Sequence, residues 1–161
     1  MFKRILLCYD GSAAGRRALR RGADLSIFLN AQVHVLCIIP AGALDPVLAA
    51  GAAGTPCIVD RDHGYRGMLD ESVNWLKARG LAAEGHLASG DTVDRILEYA
   101  AKLDVDLIVL GYYPRPSGGF WWSSSARATL AERARCCILV AVDPGAAQSG
   151  VAHTGAADSP A

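Results

Sequence analysis

Four apolar runs constrain the fold of this chain more than any other feature. Ile5–Tyr9, Val33–Ile39, Leu107–Leu110 and Ile138–Val142 are rich in β-branched residues and nearly continuous. A strand with one wet face alternates polar and apolar side chains, whereas a continuous run has to be covered on both faces, as in a parallel sheet. A fifth strand around Ala83–Ala88 is weaker, because Glu84, Gly85 and His86 interrupt it. Helical spacing fills the gaps. Ser12 to about Leu29 offers Ala18, Leu19, Ala23, Leu25 and Phe28 as an apolar face, and Tyr65–Arg79 offers Met68, Leu69, Val73 and Leu76. Asp91–Leu103 has Asp91 or Thr92 as its cap and Val93, Ile96, Leu97, Ala100 and Ala101 on one side. Ser124–Arg135 starts in serines, turns Leu130 and Ala131 inward and carries Arg133 and Arg135 near its negative end. Strands and helices therefore alternate from start to finish, and right-handed crossovers make this a doubly wound α/β domain.

The remaining composition narrows the function classes. A chain of 161 residues makes one domain with room for a real core. Sixteen basic and sixteen acidic residues balance to zero net charge, which argues against a nucleic-acid or anionic-membrane surface. The apolar runs fall well short of the roughly 20 residues that cross a bilayer, and Lys3-Arg4 precede a short run stopping at Asp10-Gly11, which is no secretory leader. The expectation is a cytoplasmic protein. Cys8, Cys37, Cys136 and Cys137 lie in apolar runs, and an odd total of five cysteines makes no disulfide framework. His34, His63, His86 and His153 have no ligand spacing, so no structural metal is expected, and His34 reads as a core or interface histidine. Pro40–Gly64 reads as an irregular connection, and 144–161, poor in large apolar residues, as a disordered tail after a domain spanning 1–143.

Two loops carry candidate chemistry. Asp10-Gly11-Ser12 lies where the first strand meets the first helix. It is a turn and N-cap in its plainest reading; its carboxylate also suits a ribose hydroxyl, a base or a phosphate-bound Mg²⁺. Gly111 ends the fourth strand; Pro114, Arg115, Pro116, Ser117, Gly118 and Gly119 follow, and Ser123, Ser124 and Ser125 start a helix. Strand, glycine loop and helix start form an arrangement that binds anions through free N–H groups, here with Arg115 and serine hydroxyls added. No Gly-Lys-Ser/Thr is present, so this is not a Walker loop. No Ser/His/Asp or Cys/His set and no nucleophile elbow can be assembled. Arg16, Arg17, Arg20 and Arg21 read as a solvated helix face. Trp121 and Trp122, beside Phe120, read equally as core and as an interface anchor.

Over about residues 1–142 the chain resembles a single-domain universal stress protein. The resemblance is carried by Ile5–Ser12, by Gly90-Asp91, by Asp104–Gly111 and by the final run Cys136–Val142. It implies a five-stranded parallel sheet of order 3-2-1-4-5, an adenine-nucleotide alpha-hydrolase-like Rossmann-type sandwich, and homodimers joined through the last strand. Some members of that family bind ATP through a G-x2-G-x9-G-[S/T] pattern after strand four, and others lack the pattern and do not bind. Laid on this chain, the pattern falls on Gly111, Pro114, Ser124 and Ser125, so the spacing survives and two glycines do not. Pro114 has no N–H to donate, and Ser124 carries a cost of about 1–3 kcal/mol if its position needs positive φ.

The resulting expectation is a stress-response regulatory protein, not a turnover enzyme, that binds ATP or another adenine nucleotide weakly, with or without Mg²⁺. Asp10, Gly11, Ser12, Ile39, Gly111, Arg115, Ser124 and Ser125 are the candidate site, with Ile39 walling the adenine. The runner-up is a nucleotide-free homodimer that docks a regulatory protein partner through Trp121, Trp122 and their loop. A slow nucleotide hydrolase is disfavoured, because no base or lysine stands in the loop.

Overall fold

A computed structural model of the chain describes residues 1–11, 13–40, 58–112 and 124–142. Along the chain lie β1 (Arg4–Tyr9), α1 (Ala13–Leu29), β2 (Gln32–Pro40), α2 (Ile58–Ala78), β3 (Ala83–Gly90), α3 (Thr92–Lys102), β4 (Leu107–Tyr112), α4 (Ser124–Arg133) and β5 (Cys137–Val142). The five strands form one parallel sheet of order β3-β2-β1-β4-β5. Three of the four continuous apolar runs became the central strands β1, β2 and β4, with both faces covered, whereas Ile138–Val142 became the edge strand β5, most of whose residues are exposed. Ile5, Leu7, Val33, Val35 and Val109 pack under α1 and α2 with Leu19, Ala23, Leu69, Val73 and Leu76. Leu6, Leu36, Ile38, Ile108 and Leu110 pack on the other face with Val93, Ile96 and Ala100 of α3 and Leu130 of α4. Asp106, just before β4, ties the start of β1 by accepting from the Lys3 N–H at 2.6 Å and the Arg4 N–H at 3.2 Å.

Several boundaries and faces differ from the sequence expectation. Helix α2 starts at Ile58, so the end of the supposed irregular connection, with His63 and Gly64, is helical. Gly64 reads as the end of a loop and Gly67 falls within the expected helix, and a side chain at either would meet nothing. They are exposed helical glycines, a local cost of about 1 kcal/mol each that the packing of Leu69, Val73 and Leu76 overrides. Phe28 is 84% exposed, not core: the buried stripe of α1 runs through Gly15, Ala18, Leu19, Gly22, Ala23 and Ser26, and Phe28 falls outside it. Ala101 and Ala131 also face outward, while Ala126 and Ala134 pack on the α4 side of the core. The cap of α3 is Asp91, whose carboxylate accepts from the Asp94 N–H at 3.0 Å.

Candidate functional site

The sheet opens at its carboxyl edge. β1 and β4 pair only as far as Leu7↔Val109, although β1 runs on to Tyr9 and β4 to Tyr112. On either side the pairing continues, with Tyr9↔Cys37 between β1 and β2 and Tyr112↔Val142 between β4 and β5. The strands therefore part between β1 and β4, where the winding of the sheet reverses. In an open α/β sheet that crevice is the ligand position.

Four candidate residues are brought to this edge on three adjacent strands. Asp10 and Gly11 follow β1 directly, Ile39 is the last residue but one of β2, and Gly111 lies in β4, paired with Ala141. Asp10, Ile39 and Gly111 are half-buried, so each keeps a face toward solvent. Gly11 sits at φ +77, and a Cβ there would lie 2.5 Å from the Met68 Sδ. Only glycine makes this turn without strain. The Arg16 guanidinium donates to the Gly11 carbonyl at 3.1 Å and so braces the turn; the sequence had placed this arginine on a merely solvated face. Asp10 also acts on Cys37, whose thiol is pushed up to about 12 by burial first and by the Asp10 charge second.

On the far side, Ser124 is the first residue of α4 and Ser125 the second. The Ser125 carbonyl accepts from the Thr129 hydroxyl at 3.0 Å. Because Ser124 is helical, it needs no positive φ, and the cost attached to that conformation does not arise. Ser12, Pro114, Arg115, Trp121 and Trp122, and the proposed tail, lie outside the described residues.

A second cluster stands well away from the crevice. His34 is 4% exposed, and its Nδ1 lies 3.1 Å from the Nε2 of His86. A Glu84 carboxylate oxygen is 3.7 Å from the same Nδ1. The core-histidine reading of His34 is borne out, and its partners were hidden because they lie 50 or more residues away in sequence. Register reveals them: β2 pairs with β3 as His34↔Glu84 and Leu36↔His86. Burial is the main cause that lowers the pKa of both imidazoles from 6.5. Glu84 opposes it at both rings; Arg4 reinforces it at His34, and the other histidine and Lys102 reinforce it at His86. A base with a depressed folded pKa leaves the unfolded chain holding more protons. Stability is then full above pH 6.5 and falls as the pH drops through the folded values. Denaturant unfolding of metal-free protein between pH 8 and about pH 5 is expected to show this loss, and His86→Gln is expected to reduce it. An equal slope in the variant would place the proton uptake elsewhere.

An open, doubly wound parallel sheet with an aspartate turn after β1, Gly111 near the end of β4 and a serine-started helix α4 defines the class of the fold as doubly wound α/β. The universal stress protein family matches residues 1–142. This chain belongs to the universal stress protein family. Solved structures agree on the fold. A family member from Burkholderia pseudomallei is 23% identical with a TM-score of 0.61, the match covering 86% of this chain and 95% of that one. A universal stress protein in complex with cAMP is 22% identical, with a TM-score of 0.62 over 87% of this chain and 97% of that one. One from Archaeoglobus fulgidus in complex with dAMP is 18% identical, with a TM-score of 0.56 over 87% and 97%.

Proposed function

We propose that this protein is a stress-response regulatory module that binds an adenine nucleotide weakly in the crevice between β1 and β4. The observation that carries the reading is the parting of those strands beyond Leu7↔Val109, with Asp10 and Gly111 on its two lips. In this reading Asp10 accepts from a ribose hydroxyl or holds a phosphate-bound Mg²⁺, and Ile39 walls the base. The start of α4, with Ser124 and Ser125, supplies the positive end of a helix dipole for phosphate in this reading, and Arg115 and Ser12 are assigned to the same group from the sequence. Two relatives of the same fold are described in complex with adenine nucleotides, cAMP and dAMP. Pro114 leaves one N–H donor missing, which makes the binding weak. The role is binding, not turnover, because the assigned residues include no lysine to assist phosphoryl transfer. The test is a calorimetric titration with ATP, ADP and AMP, with and without Mg²⁺; saturable binding is expected, and a flat titration would favour a nucleotide-free interaction module.

The same proposal includes a homodimer joined through β5. This strand is the sheet edge, and Leu139, Val140 and Val142 on it are exposed. An apolar edge strand with unpaired backbone groups needs cover. Light scattering at micromolar concentration is expected to give the dimer mass, and Val140→Arg with Val142→Arg to give the monomer. A monomeric wild type would remove the claim. A cytoplasmic location belongs to this reading; among the described residues, no helix is long and apolar enough to cross a membrane.

A further inference from the structure

We propose that His34, Glu84 and His86 form a binding site for a divalent transition-metal ion of the Zn(II) class on the edge of the sheet, separate from the nucleotide crevice. Glu84 and His86 are two residues apart on β3 and so share one face, and His34 stands opposite Glu84 on β2. That face is the one packed under α3, beside Leu36, Ile38 and Ala88. Each of the three side chains brings one ligand atom within 4.8 Å of the other two. A tetrahedral zinc ion with bonds of about 2.0–2.1 Å needs its ligand atoms about 3.3 Å apart. The separations of 3.1 Å between the imidazole nitrogens and 3.7 Å from His34 to the Glu84 oxygen bracket that value. Small rotations of the exposed Glu84 are enough to close the set.

A hydrogen bond between two neutral imidazoles would account for the pair alone, one ring donating and the other accepting. It does not account for the carboxylate that converges on the same nitrogen. Two imidazoles and one carboxylate make a borderline-soft donor set that suits Zn(II) and its neighbours in the first transition row, while Mg²⁺ and Ca²⁺ prefer oxygen. Three protein ligands leave a fourth position for water. His34 is held rigidly by burial, His86 is half-buried with its ring 5.5 Å from that of Tyr99, and Glu84 is exposed. The site is thus anchored on one side and open to solvent on the other. Arg4 and Lys102 oppose a cation here, although the Lys102 ammonium is drawn over the Tyr99 ring at 5.4 Å. Ile39, at the crevice, lies five residues farther along β2 than His34, about 17 Å at strand rise. An ion at this position would clip the edge strand β3 to β2 and stabilise the folded state by mass action.

The test uses tag-free protein stripped with chelator and titrated with ZnCl₂ by calorimetry, with thermal unfolding in Zn²⁺ and in Mg²⁺. The expected result is one zinc ion per chain lost to chelator, and a midpoint raised by Zn²⁺ and unmoved by Mg²⁺. His86→Gln, at a half-buried position, and Glu84→Gln, at an exposed one, are each expected to weaken zinc by roughly tenfold or more. Cys137→Ser is expected to bind as the wild type does. Cobalt(II) in place of zinc should give tetrahedral visible bands without a thiolate charge-transfer band. No stoichiometric zinc binding, wild-type affinity in either the His86 or the Glu84 variant, or loss of binding in Cys137→Ser would overturn the proposal.

Discussion

Gly22→Val is expected to destabilise the fold by about 2–3 kcal/mol, the upper range for forcing extra atoms into a packed interior. Glycine in mid-helix ordinarily weakens a helix by up to about 1 kcal/mol relative to alanine, so its presence in α1 calls for a packing reason. The reason is Leu7. A Cβ at position 22 would lie 2.4 Å from the Leu7 Cδ2, and Leu7, at 1% exposure in the middle of β1, has nowhere to retreat. The glycine lets α1 settle onto the central strand. Leu7→Ala alone should cost about 2–5 kcal/mol through its cavity. The valine should cost much less in that background, because its methyl groups enter the space vacated. Urea unfolding of the two single variants and the double variant checks this. Additive losses would mean that the two residues do not share one packing site.

The second large effect concerns Pro114. A backbone N–H bonded to a charged group contributes about 1.5–3 kcal/mol, and each 1.4 kcal/mol is a factor of about ten in affinity. Pro114→Gly, which restores a donor at the second position of the family pattern, is therefore expected to strengthen ATP binding at least tenfold. Adding Ser124→Gly is expected to bring no further gain. The structure moves the whole expected gain onto Pro114, because Ser124 is already helical and a glycine there only loosens the first turn of α4. Calorimetry on both variants separates the two contributions. Tight wild-type binding that Pro114→Gly weakens would mean that Arg115 and the serine hydroxyls have replaced the backbone cradle.

The fold was legible where burial is two-sided. Continuous runs such as Val33–Ile39 admit hardly any other arrangement, and the order β3-β2-β1-β4-β5 came with the family resemblance. Features set by pairing in space were not legible. Nothing local in Phe28 says that it falls beside the buried stripe of α1. Gly64 reads as loop because tertiary contacts of Leu69 and Val73, not local preference, carry the first half of α2. The crevice itself was readable from Asp10-Gly11 and Gly111, which lie at strand ends by pattern alone. The approach of His34 to Glu84 and His86 depends on the β2–β3 register, which no linear spacing encodes. The brace from Arg16 to the Gly11 carbonyl depends likewise on how the first turn closes.

Occupancy of the crevice between β1 and β4 by an adenine nucleotide is tested by calorimetric titration of ATP into the wild type and into Asp10→Ala. Saturable wild-type binding at tens of micromolar or weaker, on the order of −6 kcal/mol, is expected, clearly weakened by the loss of the Asp10 carboxylate. Absence of saturable binding at millimolar ATP, or equal binding by the two proteins, would contradict it.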